Sequence, residues 1–85
     1  MNIFVYGLNF KARRDDLISL FAPFGEVINA RIIVDKETHR SRGYGFVEMP
    51  DDEQGKAAMA AINDTEFMGR IVHTDIAKER EQKTI

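Results

Sequence analysis

There is no cysteine among the 85 residues, so neither a disulfide framework nor a thiolate metal site can be built from this chain. Long apolar runs are missing as well. No stretch approaches the roughly 20 residues of a membrane-spanning helix or the apolar core of a signal peptide, and a cytoplasmic protein away from membranes is expected. Nor is there an excess of positive charge: 12 Lys and Arg stand against 14 Asp and Glu, a net charge of −2. Strong unspecific attraction to polyphosphate is therefore not what the composition favours. Internal repeats, low-complexity segments and interdomain linkers are absent. The two histidines, His39 and His73, are far apart and have no Asp, Glu or Cys at ligand spacing, so no metal and no cofactor is expected. A chain of this length makes one small domain with a modest core and no room for a catalytic domain beside it.

What is present is a clear alternation of strand and helix signals. Asn2 to Tyr6 reads as a strand with Ile3 and Val5 inward and Asn2, Phe4 and Tyr6 outward. From about Arg13 to Ala22, Leu17, Leu20, Phe21 and then Phe24 recur at helical spacing, and Pro23 and Gly25 end the run. Val27 to Val34 is β-branched and alternates, with Ala30, Ile32 and Val34 inward and Asn29, Arg31 and Ile33 outward. A polar loop, Asp35 to Ser41, leads into the next strand. Asp51 caps a second helix whose buried stripe is Gly55, Ala58, Met59 and Ile62, with Gln54 three residues on as in a capping box. Phe67 is expected to plug the edge of the core before Gly69 turns into a last strand, Ile71 to Ala77. On that strand Val72, Thr74 and Ile76 alternate with His73 and Asp75. The order strand, helix, strand, strand, helix, strand predicts an α+β fold, the ferredoxin-like βαββαβ sandwich. Right-handed crossovers place both helices on one face of a four-stranded antiparallel sheet.

The run Arg42, Gly43, Tyr44, Gly45, Phe46, Val47, Glu48, Met49 is the informative one. Side chains on a strand alternate between faces, so Tyr44 and Phe46 share one face while Gly45, Val47 and Met49 share the other. The helices need only the second face. In this topology the first and third strands are neighbours, and Phe4, Tyr44 and Phe46 then meet on the uncovered side. Ordinary cross-strand aromatic packing would add roughly 0.2 to 1 kcal/mol per pair, but it would leave the rings wet. Exposed rings on a sheet are a stacking platform for bases.

The octapeptide fits the pattern basic, Gly, aromatic, small, Phe, Val, any, aromatic of the RNA recognition motif at every position but the last, where Met49 stands. Ile3 to Leu8 resembles the companion hexapeptide, with Phe4 in the place of its stacking ring. The resemblance covers residues 2 to 78, nearly the whole chain, and is strongest to the small single-domain RNA-binding proteins of bacteria. It implies a domain over 1 to 78 with a charged tail, 79 to 85. It implies that Phe4 and Tyr44 each carry a base, that Phe46 lies between them against sugar, and that Arg42 contacts phosphate, a positioning contact without sequence information. Arg31, and Lys78 after the last strand, complete the basic set beside the face. His39 stands where the family's loop has Gly, which implies a positive backbone angle that few non-glycine residues adopt.

Two outward residues keep two readings each. Tyr6 either extends the platform or shields Gly7, and His73 either meets a base or is an idle surface histidine. The expected function is non-catalytic binding of two to four nucleotides of single-stranded RNA by a monomer. The alternative in another class is a protein-protein interaction module of the same fold, and the helical face offers a surface for protein partners. A phosphate-processing enzyme of this topology would need a Gly-rich cradle, and Gly7 to Arg14 shows none.

Overall fold

The computed structural model describes residues 1–77; Lys78 and the tail from 79 to 85 lie outside the described residues. Strand β1 (Asn2–Tyr6), helix α1 (Arg14–Phe21), β2 (Asn29–Val34), β3 (Ser41–Glu48), helix α2 (Asp52–Ile62), β4 (Thr65–Phe67) and β5 (Arg70–Ile76) follow in that order. The strands form one antiparallel sheet in the spatial order β2-β3-β1-β5-β4.

Both helices start where acids can serve them. The Asp51 carboxylate accepts the N–H groups of Glu53 (2.8 Å) and Gln54 (3.1 Å). In α1 it is Asp16 that reaches back, accepting the N–H of Arg13 at 2.8 Å. Such contacts satisfy helix N–H groups that have no partner inside the helix, and negative charge there suits the helix dipole. Gln54 does not return to its cap as in a capping box. Its side chain lies over Gly25 instead, filling the place a side chain at Gly25 would take.

Leu17 and Phe21 of α1 and Gly55, Ala58 and Ile62 of α2 are buried. They pack against Ile3, Val5, Val47, Met49 and Val72, so both helices lie on one face of the sheet. Leu20, Phe24 and Met59 are only partly buried beside this core. Val34, expected inside, is 47% exposed. A register shift separates it from Ile32, and it shares an open cleft with Ala12 and Arg14 at the start of α1 instead of being covered. Ile76 is also largely exposed, and Ala77 takes the buried place at the end of β5.

The sheet has five strands and not the expected four. Thr65, Glu66 and Phe67 pair with Val72, Ile71 and Arg70. The two residues between, Met68 (φ 54°) and Gly69 (φ 84°), both take positive φ, as the tight hairpin turns that suit twisted strands require. Methionine at the first turn position carries no turn signal, which is why this short edge strand reads as a connection in the sequence.

Candidate nucleic-acid interface

The outward residues of the three middle strands form the site. Phe4 stands opposite Phe46 and Tyr6 opposite Tyr44 across β1 and β3, and on the other side Phe4 faces Asp75 and Tyr6 faces His73 across β1 and β5. The register follows from the inward set: Ile3 and Val5 are fully buried, as are Val47 and Val72, and slipping any strand by one residue would turn these to water and the rings to the core. Phe4 is the hub. Its ring centre lies 5.2 Å from Tyr6, 5.4 Å from Tyr44 and 5.4 Å from Phe46. These are offset and edge arrangements, which the ring quadrupole favours over face-to-face sandwiches.

Tyr6 joins the row of rings. It stacks on Phe4 at an interplanar angle of 26° and on His73 at 28°, with ring centres 5.1 Å apart in the second pair. His73, Tyr6, Phe4 and Phe46 thus make a continuous row across β5, β1 and β3. The His73 ring is held at its other end by Asp64, whose Oδ1 is 2.8 Å from Nδ1. A carboxylate only accepts, so Nδ1 carries the proton in this contact, and Nε2 is the ring nitrogen that Asp64 does not engage. Asp64 has φ 64°, and its N–H donates to the Val72 carbonyl at 2.8 Å. Sequence reading saw Asp64 only as the end of α2. Nothing in the chain signals that the β4–β5 hairpin folds it back beside His73.

Gly45 sits between the two motif rings because backbone comes too close for a side chain: a Cβ there would meet the Arg31 carbonyl oxygen at 2.3 Å. Gly45→Ala is therefore expected to destabilise the domain by about 1 to 3 kcal/mol through overpacking, with the rings themselves untouched. Chemical denaturation checks this, and an unchanged midpoint would mean that β2 can retreat from β3 at no cost.

Of the expected basic contacts, Arg31 stands on edge strand β2 directly across from Phe46. Arg42 is already engaged, its Nη1 3.5 Å from Asp35 Oδ2, yet its side chain remains 54% exposed. A phosphate would have to compete with Asp35 for it. That carboxylate lies below the usual range, first because it accepts the N–H groups of Glu37 and Thr38, with a smaller contribution from Arg42. The same bonds shape the β2–β3 loop, where His39 has φ 62° as expected. Five expected residues, Phe4, Tyr6, Tyr44, Phe46 and His73, are thus brought into contact. Arg31 and Arg42 flank them, and Lys78 is outside the described residues.

A family model described as the RNA recognition motif matches residues 3–73. A relative from Nostoc sp. (strain PCC 7120), named as a candidate RNA-binding protein, RbpE, is 39% identical over 83 residues, covering 98% of this chain and 84% of that one. Among solved structures, the crystal structure of RNA binding protein PG1 superposes with a TM-score of 0.90 at 46% identity, covering 94% of this chain and 96% of that one. An SXL-lethal protein/RNA complex superposes with a TM-score of 0.84 at 28% identity, covering 89% of this chain and 47% of that one.

Proposed function

The chain belongs to the RNA recognition motif family, and on that premise we propose that it binds short single-stranded RNA on the open face of its sheet by stacking bases on the ring row. The observation that carries this reading is the position of Phe4, within 5.4 Å of Tyr44 and Phe46, on the face that neither helix covers. Phe4 and Tyr44 each take one base, and Phe46 lies against the sugar between them. Arg42 and Arg31 meet phosphates, which hold the strand in register without reading it. His73 and Asp75 supply the edge contacts at β5. The Asp75 carboxylate already accepts the Ile76 N–H at 2.8 Å through Oδ1, so Oδ2 is the oxygen left for a base amino group. Nε2 of His73, the ring nitrogen not held by Asp64, makes a second edge contact.

Stacking needs unpaired bases, since those of a duplex are already stacked and hidden from the rings. A fluorescent pool of single-stranded RNA should therefore bind well, and duplexes of equal length much more weakly, when both are titrated with protein and followed by anisotropy. Equal affinity for the two forms, or no binding to the single-stranded pool at high protein concentration, would sink the reading.

A further inference from the structure

One surface outside the ring platform collects both apolar and positive groups. An open cleft of about 770 Å³ lies between the start of α1 and the β2–β3 end of the sheet. Phe10, Ile32 and Val34 supply its apolar side. Lys11, Arg13, Arg14 and Arg31 line it with His39, and among the described residues no Asp or Glu does. In a chain of net charge −2 this is a local reversal of sign. None of these four cations has an ion-pair partner among the described residues, where the acids in such pairs are Asp35, Asp52 and Asp64. Phe10 is 65% exposed, the highest value among the exposed large hydrophobic residues.

A single exposed ring is unremarkable on a protein surface. Here its setting is specific. A side chain at Gly43 would begin 3.2 Å from the Phe10 ring, so the ring is seated against the residue that joins Arg42 to Tyr44. The Arg70 guanidinium lies 6.0 Å from its centre, near the outer limit of a cation–π contact. The cleft and the platform therefore meet at the loop end of β3, one residue apart along the chain.

We propose that this cleft is a second RNA subsite, which takes the nucleotides that leave the platform past Tyr44 and Arg42. One base stacks on Phe10, and Lys11, Arg13 and Arg14 neutralise the phosphates beside it. A groove that is positive along its rim and aromatic at one point matches the two components of sequence-tolerant single-strand binding, backbone charge and ring stacking. The inference rests on the platform reading, because only a strand already on Phe4 and Tyr44 is delivered to Phe10.

The test measures affinity for random single-stranded RNAs of four and eight nucleotides, for the unaltered protein, for Phe10→Ala and for Lys11→Gln combined with Arg14→Gln. Four nucleotides fill the platform, so all three proteins should bind the shorter RNA nearly alike. The unaltered protein should gain affinity with the longer RNA. Phe10→Ala should reduce that gain by about 5- to 100-fold, the range one stacked base supplies, and Phe10→Tyr should restore it. Multiple binding registers on the longer RNA are common to all the proteins and cancel in the comparison. The charge variant should flatten the slope of log affinity against log salt for the eight-nucleotide RNA by about 1.4, from roughly 0.7 per lost phosphate contact. It also keeps the inference open to refutation should Phe10→Ala fail to fold. Unchanged affinity of the Phe10 and charge variants for the longer RNA, with the shorter one still bound, would overturn the second subsite and leave the platform standing. Failure of the unaltered protein to bind either RNA would overturn both.

Discussion

Phe4→Ala should cost the protein most of its RNA affinity, about 3 kcal/mol or roughly a hundredfold, at the upper end of what one stacked base supplies. The reason is its position at the hub. Tyr6, Tyr44 and Phe46 all lean on this ring at 5.2 to 5.4 Å, so its removal takes away one stacking surface and also frees the rotamers of three others. Folding stability should fall by less than loss of a core ring would cause, since each cross-strand pair contributes roughly 0.2 to 1 kcal/mol and Phe4 is only partly buried. Anisotropy titration gives the first quantity and thermal unfolding the second. If the variant melts far lower and the fraction that stays folded still binds as before, the ring is a structural one and the platform assignment is wrong.

The opposite pattern is expected of Phe21→Ala. Phe21 is fully buried at the end of α1, in the same cluster as Leu17, Val5 and Val47. Truncating such a ring removes its transfer free energy and leaves a cavity, about 3 to 5 kcal/mol in total. A domain of this size holds only about 5 to 15 kcal/mol in reserve, and each kcal/mol shifts its melting temperature by about 4 to 8 °C. The midpoint should therefore drop by tens of degrees. RNA affinity measured well below the new midpoint should stay near that of the unaltered protein, because Phe21 lies on the helix side of the sheet. A small shift of the midpoint would mean that the helices close over the vacated volume, and that the core is more plastic than its full burial implies. Leu20→Ala should do less, since Leu20 is only partly buried.

That contrast shows where reading the chain stops. Helical spacing puts Leu17, Leu20, Phe21 and Phe24 on one side of α1, but it cannot rank them. How deep each sinks depends on where the helix axis lies over the sheet and on the turn through Ala22–Phe24 that carries the chain away from it. The same limit applies to Val34. Period-2 alternation assigns it the inward face, and only the register shift and the short reach of α1 leave it in an open cleft.

The site divides in the same way. Alternation along β1 and β3, together with the strand order, was enough to bring Phe4, Tyr44 and Phe46 to one uncovered face, because side-chain direction in a strand is fixed by the pleat and needs no knowledge of distant contacts. The inward place of Met49 was legible for the same local reason, whereas the left-handed backbone at His39 (φ 62°) was legible only through the family resemblance, from the Gly the family has there. What depended on the tertiary structure were the contacts between segments far apart in the chain: Asp64 beside His73, Asp35 against Arg42, Phe10 seated on Gly43. The β4–β5 hairpin belongs with them, since its turn at Met68 and Gly69 lacks the residues that announce such turns. These pairings depend on loop paths, where many conformations are close in energy and packing against the finished sheet selects one.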